Sequence, residues 1–380
     1  MARVAARVTP GFAWRWGLKS AYGWEQFTFW LHLHKRLVDG RFDILHVQDP
    51  MLAFWCRRAR LAGRIATTEI LAHGTEEPAD VLAQFECVQH LAPWHLEQSL
   101  QALQPAQALL AGQAEQDQGS RDAEHPTPHT RHAPRDAGLQ TSALWVAIPN
   151  FVDTNVFRPA TGVDEQAALR RRFGIPADAF VVGTAAAIKR HHKRIDYLVR
   201  EFAGLEGRMG DADAHVAAGA SRWKEHRGCH PHAVPHLVIA GASCPDTEEL
   251  KALAQDLAPN RVTFLLNVPH CDMPDLLRCY DVFVLTSLFE MMPIALLEAI
   301  ATGLPVLTQD HPVLEWMAGE GGRRIDMSAD GSLASALADL TPADMATLSA
   351  AARARAVTMF AKDVVIDQYL EYYQRVMESL

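Results

Sequence analysis

At 380 residues the chain is long enough for two or three domains with substantial cores. Its 49% hydrophobic and 21% charged content is that of a soluble globular protein; no run of about 18 apolar residues offers a bilayer span, and Met1 to Arg7 is too short in apolar character for a signal-peptide core. A net charge of −9 argues against a nucleic-acid partner held by charge, and six cysteines without a CxxC pair or a disulfide-like framework point to a reducing cytoplasm.

Residues 12–39 are rich in rings: Trp14, Trp16, Trp24, Phe27, Phe29 and Trp30. From Tyr22 to Leu37 the apolar spacing is helical, with Lys35 and Arg36 near the end, where cations suit the helix dipole. A helix packed on a sheet is the plain reading. An aromatic and basic surface in peripheral contact with a membrane is the sharper one, weakened because the Trp residues do not share one face. Asp43 to Val47 is the first strand, and Gln48-Asp49-Pro50 leads into a helix over 51–62. A second strand, Arg64 to Leu71, runs into Ala72-His73-Gly74-Thr75, which places an imidazole at a strand's carboxyl end. His46, inside a strand pattern, reads as structural. From 101 to 141 the periodicity collapses into an irregular insertion. His125, His129 and His132 have metal-ligand spacing there but stand in Pro-rich coil, so no metal is expected. Leu144 to Ile148 is the last strand of a first domain spanning 1–148.

A second domain over 149–362 opens with a helix at 164–173. Ala179 to Thr184 is its first strand, in which Gly183 allows close backbone approach. The loop Ala187 to Arg194 is densely cationic. Its place between that strand and a helix over Ile195 to Phe202 favours a diphosphate cradle over a solvated charge run. Residues 207–235 form a second irregular insertion; its His226, Cys229, His230 and His232 lack the partner pair a zinc site needs. Then come a strand over Leu237 to Gly241, a helix over 246–257, a strand over Val262 to Leu266, the loop Asn267-Val268-Pro269-His270 and a helix over Met273 to Cys279. A closing amphipathic helix begins at Asp363 and makes 363–380 a separate element.

The stretch from Asp281 to Thr308 organises the whole. Val282 to Leu285 is continuously apolar, as a parallel strand covered on both faces should be. After Thr286-Ser287 and Glu290, Pro293 stands as the expected first helical residue, helix formers run from Ile294 to Ala301, and Gly303 stops them. Pro305-Val306-Leu307 is the next strand. On one continuous helix Glu290 and Glu298 would lie about 12 Å apart along the axis with an offset of about 80°. Paired hydrolytic carboxylates work at roughly 5–9.5 Å, so these two suit gripping the ends of an extended ligand instead. A nucleotide diphospho-sugar has that shape, and the turn before the helix is where open α/β sheets bind phosphate.

Ser287-x-x-Glu290-x-x-Pro293 followed by Glu298-Ala299-x-Ala301-x-Gly303-x-Pro305-Val306 resembles the E-x7-E signature of the retaining glycosyltransferases of family 4. Ile148 to Thr154 with Phe157-Arg158-Pro159 is similar to that family's interdomain segment, and Lys193 to Leu198 to its phosphate-contacting loop. Glu86 to Gln98 resembles the short strand and helix that continue its first domain. The resemblance covers roughly 41–95 and 145–375. It implies the GT-B fold: α/β, two Rossmann-like domains facing a cleft, with a C-terminal helix crossing back to the first. It also implies an opening βα unit; with Asp43 to Val47 as the first strand pattern, the expectation is a chain without that unit, through a misassigned start or a degraded domain.

For function the resemblance implies retaining, metal-independent transfer of a sugar from a nucleotide diphospho-sugar, with no cofactor. The acceptor would be a sugar, lipid-linked or small-molecule one, met in the cytoplasm or at the inner face of a membrane. Lys193 would meet the diphosphate, Glu290 the donor sugar, Glu298 the ribose, and His73 the donor's scissile bond and acceptor side. Gly183, Val268, Met291, Met292, Pro293 and Ile294 complete the donor-binding set. Two departures concern the cations. Arg194 replaces the usual glycine, and Ile188 stands where an arginine is common, leaving Lys189 or Arg190 as the second cation. Met291 replaces the glycine common after the first glutamate. The competing reading is an inactive nucleotide-sugar-binding or partner protein on the same scaffold; a nicotinamide dehydrogenase lacks its G-x-G-x-x-G.

Overall fold

The computed structural model describes residues 20–74, 77–104, 144–205 and 234–380. The chain divides into two compact units, Met1–Pro149 with Asp367–Leu380, and Asn150–Ile366. The histidines and cysteine singled out at 125–132 and 226–232, and the rings of Trp14 and Trp16, lie outside the described residues.

In the first unit four parallel strands follow one another in chain order: β1 (Ile44–Val47), β2 (Thr68–His73), β3 (Val88–His90) and β4 (Trp145–Ala147). Helix α1 (Ala21–Asp39) is capped by the Ser20 hydroxyl, and α2 (Pro50–Leu61) by Asp49, whose carboxylate accepts from the Leu52 N–H at 2.8 Å while Pro50 fills the first turn. Rings join the two helices: Phe27 meets Trp55 at 5.8 Å and Trp30 meets it at 6.4 Å. The aromatic stretch is therefore, in its described part, a packed helix. A short helix α3 (Ala79–Leu82), which the apolar pattern does not announce, separates β2 from β3. The next helix, α4, is described over 93–104, so helix extends into the stretch read as irregular from 101.

The second unit holds a six-stranded parallel sheet built from β5 (Phe180–Ala185), β6 (Pro235–Gly241), β7 (Val262–Leu266), β8 (Val282–Leu285), β9 (Val306–Gln309) and β10 (Gly322–Ile325), in the order β10-β9-β8-β5-β6-β7. Strand β6 begins at Pro235, the last residue of the stretch read as irregular. Its helices are α5 (Val163–Arg172), α6 (Ile195–Ala203), α7 (Thr247–Leu257), α8 (Met273–Leu277), α9 (Ile294–Ala301), α10 (Pro312–Ala318), α11 (Ser332–Ala338) and α12 (Pro342–Arg355). The apolar faces of α6, α7 and α11 bury Leu198, Phe202, Leu250 and Leu333 against Val182, Leu237 and Val284. Helix α13 (Lys362–Glu378) passes from one unit to the other; in the first its Tyr372 hydroxyl donates to the Leu144 carbonyl at 2.7 Å and Tyr373 bonds His46 at 2.8 Å.

One buried ion pair anchors the start of β8. The Arg170 guanidinium meets Asp281 at 2.7 Å and also donates to the carbonyls of Ala177, Ala179 and Cys279, while Asp281 accepts from the Val181 N–H. A buried guanidinium with this many acceptors has its desolvation offset.

Candidate functional site at the switch point of the second sheet

From β5 the chain winds outward through β6 and β7, then returns to the other side of β5 to lay down β8, β9 and β10. The winding reverses between β5 and β8, where loops leaving the carboxyl ends part and leave room for a ligand. The loop after β5 carries Lys193. That after β8 carries Glu290. The Lys193 ammonium forms an ion pair with the Glu290 carboxylate, the His192 Nε2 lies 3.7 Å from the same oxygen, and the Thr286 hydroxyl donates to the Lys193 carbonyl at 2.7 Å.

Loop shape explains how Lys193 is presented. His192 and Arg194 on either side have φ of 70° and 51°, a left-handed backbone that costs a non-glycine residue about 1–2 kcal/mol. At Arg194, where the resemblance expects glycine, the guanidinium caps the Met327 carbonyl and lies 4.2 Å from the Tyr197 ring centre, which offsets that cost. Ile188 is fully buried in the core, so no cation can stand there. Arg190 turns to the first turn of α7, with Glu249 at 3.1 Å and its own N–H on Asp246. Lys189 is half-buried with no ion pair among the described residues, which leaves its ammonium available.

Helix α9 begins one residue later than its proline suggests: Pro293 is the cap, with φ −70° and ψ 118°, and no side chain satisfies the first N–H groups. Leu296, Leu297, Ala299 and Ile300 bury the helix, and Glu298 is buried with them at 5% exposure. The Glu298 carboxylate accepts from His270 Nε2 at 2.8 Å. Burial pushes the Glu298 carboxyl above its usual range, and the His270 contact pulls the other way. Nothing in the spacing of the sequence signals His270, which comes from the loop after β7.

The other residues named from the sequence fall as follows. Gly183 sits in mid-strand between Val238 and Phe283, and a β-carbon there would run into the Tyr280 ring; the close approach it permits is that of a buried side chain. Val268 and Met291 are half-buried, Met292 and Pro293 buried, and Ile294 is 45% exposed. The Met292 sulfur accepts from the Asn150 N–H at 3.2 Å, which ties the turn before α9 to the start of the unit.

In the first unit His73 ends β2 and is register-paired with His90, the end of β3. Their Nδ1 atoms are 2.8 Å apart, so one ring donates and the other accepts. His73 Nε2 is 3.6 Å from Glu77, and His95 stacks edgewise on His73 at 6.1 Å. Burial, then the neighbouring His73 and His95, drive the His90 imidazole down to about 3, which keeps it neutral. A cavity of about 1240 Å3 opens between α1 and α2, lined among others by Phe27, Trp30, Trp55, Asp49 and Glu77. Among the described residues no cluster of His, Cys, Asp and Glu has the geometry of a metal site, and no helix is long and apolar enough to cross a membrane.

Residues 165–340 match the family model of glycosyl transferases group 1. Mannosylfructose-phosphate synthase of Agrobacterium fabrum is 27% identical over 177 residues, 46% of this chain and 34% of that protein. The lipopolysaccharide core biosynthesis mannosyltransferase LpsB of Rhizobium meliloti is 27% identical over 256 residues, 64% of this chain and 66% of that protein. The chain thus spans about a third of the first relative and just under two thirds of the second. Among solved structures, Anabaena HepE in complex with UDP and glucose superposes with a TM-score of 0.63 at 16% identity, covering 98% of this chain and 84% of that one. The chain therefore has the α/β fold of the GT-B glycosyltransferases, and the segment that matches the glycosyl transferases group 1 model, residues 165–340, contains the switch-point site.

Proposed function

We propose that the protein is a retaining glycosyltransferase that moves a sugar from a nucleotide diphospho-sugar to an acceptor hydroxyl. One observation carries the reading: two buried carboxylates, Glu290 and Glu298, lie at the switch point of a parallel sheet, each against a cationic or imidazole partner, within the matched family segment. Glu298 would accept the ribose hydroxyls and Glu290 those of the donor sugar. Lys193, with Lys189, would face the diphosphate together with the unsatisfied N–H groups of α9, and the backbone around Val268 would hold the base. The anomeric carbon–oxygen bond to phosphate breaks, the acceptor oxygen bonds the same face, and the acceptor proton passes to the departing phosphate. Negative charge grows on that phosphate, so fixed cations and N–H groups are what lowers the barrier, in a reaction that uses the chain's own charges in place of a metal.

The acceptor side belongs to the first unit in this reading, with His73 as its contact and the ring-lined cavity suited to the apolar faces of a sugar. The names of the two relatives, a mannosylfructose-phosphate synthase and a lipopolysaccharide core mannosyltransferase, support a setting in saccharide assembly. A lipid-linked acceptor would bring the chain to the cytoplasmic face of a membrane; Phe29, Leu31 and Val38, exposed on α1 beside Lys35 and Arg36, would then touch it, and co-sedimentation with anionic vesicles tests that contact.

Thermal unfolding with UDP, GDP and ADP, in the wild type and in Glu298→Ala, tests the donor site. A nucleotide at about 100 times its dissociation constant should stabilise by about 2.7 kcal/mol. A shift with one nucleotide, lost in the variant, supports the reading; no shift with any of them overturns it. Transfer itself is read by incubation with matching donors and an acceptor panel, and the anomeric configuration of the product by NMR.

A further inference from the structure

His270 is a surface residue with one inward bond. Its side chain is 77% exposed, yet it reaches a carboxylate whose own side chain is 7% exposed. The backbone that aims it is fixed. Asn267 takes a left-handed conformation, donates its N–H to the Gly241 carbonyl at 2.8 Å and accepts from the Ser243 N–H at 3.1 Å, which pins the loop to the end of β6. Pro269 then starts a tight turn closed by the Asp272 N–H, and His270 is its first residue, its ring 5.9 Å from that of Phe157. Among the described residues no other side chain hydrogen-bonds the Glu298 carboxylate.

A carboxylate can take both hydroxyls of a ribose diol only while it is ionised and held in one orientation. Buried as it is, Glu298 would tend to protonate, and a protonated carboxyl gives up acceptor capacity to its own O–H. Other cations of the unit have partners elsewhere: Lys193 and His192 meet Glu290, and Arg353 donates to the carbonyls of Phe157 and Ala301. We infer that His270 is a positioning residue for ribose recognition, which holds Glu298 as an aimed, ionised acceptor while leaving its second oxygen for the ligand. This rests on the donor-site reading, and it adds that selection of a ribonucleotide over its deoxy analogue runs through His270.

The test is the affinity of the intact chain for the nucleoside diphosphate that stabilises it and for the 2′,3′-dideoxy analogue, by calorimetric titration in the wild type, His270→Ala and His270→Gln. His270→Ala should weaken the ribonucleotide about tenfold and leave the analogue nearly unchanged, collapsing the ratio between them. His270→Gln, whose amide can donate the same bond, should restore part of the ratio. The loss in His270→Ala should grow as pH falls, because the missing bond is the one that opposes protonation of the buried Glu298 carboxyl. Equal weakening of both ligands, or a ratio unchanged in His270→Ala, overturns the inference while leaving the donor site standing. Binding of no nucleotide by the wild type would remove both.

Discussion

Lys193 and Glu290, 97 positions apart in the chain, close an ion pair across the two strands between which the second sheet reverses its winding. Their side chains are 18% and 10% exposed, so within the site the carboxylate neutralises the cation. An incoming diphosphate must take Lys193 from Glu290, which frees that carboxylate for sugar hydroxyls. Glu290→Gln should therefore bind the nucleoside diphosphate about threefold to tenfold more tightly while lowering transfer, and Lys193→Ala should weaken binding by about tenfold or more. Calorimetric titration of both variants checks this; equal weakening in the two would show that the pair does not compete with the ligand.

Glu298 gives a pH signature with a definite sign. Its folded carboxyl titrates above the ordinary value of 4.5 because it is buried. Such a group favours the fold below that value, and the contribution is lost as pH rises through the folded value. Glu298→Gln should thus be more stable than wild type at neutral pH, with the difference closing as pH falls toward 4.5. Urea unfolding from pH 4.5 to 8 measures it, and a variant less stable at neutral pH would contradict the burial argument.

His90 behaves in the opposite sense. Its imidazole is held neutral, down to about 3 from an ordinary 6.5. Its contribution to stability is complete above 6.5 and is lost as pH falls through that window toward 3. The first unit should therefore soften in mild acid, and His90→Gln, which keeps a polar partner for His73, should flatten the acid limb between pH 6 and 4. Circular dichroism melts across that range decide the matter: limbs of equal slope in the two proteins would locate the acid sensitivity elsewhere.

Gly183 makes room for Tyr280. Gly183→Ala should cost about 1–3 kcal/mol of unfolding free energy with no nucleotide present, since the added methyl meets a fully buried ring. Gly183→Ala combined with Tyr280→Leu should recover part of that loss. A lone Gly183→Ala as stable as wild type but weaker for nucleotide would return the residue to the ligand.

Much of the second sheet was legible because its strands read as nearly unbroken apolar runs: the fully buried β8 and the half-buried edge strand β7 have the bounds the pattern predicts, while α9 starts one residue after the proline expected to open it. Units whose packing is less continuous were not. Strand β10 has two arginines among its four residues, and α12 carries alanine all round, so neither shows a period that distinguishes it from loop. At the site, Glu290 and Glu298 stood out by their place around one strand–helix unit, whereas His192 and His270 stood in loops where histidine signals nothing by itself.

What the amino-acid sequence by itself determined is local: the alternation of strand and helix, the proline and glycine that bound α9, and the carboxylates and cations available near strand ends. Those follow from backbone stereochemistry and apolar periodicity, which act within a few residues. Tertiary structure decided which of these groups meet. The reversal of strand order beside β5 brings Lys193 to Glu290, and parallel register sets His73 against His90. The loop pinned at Asn267 delivers His270 to Glu298. Such pairings depend on strand order and loop closure over tens of residues, and on burial that strengthens the contact of one charge with another; neither quantity is carried by any short stretch of sequence.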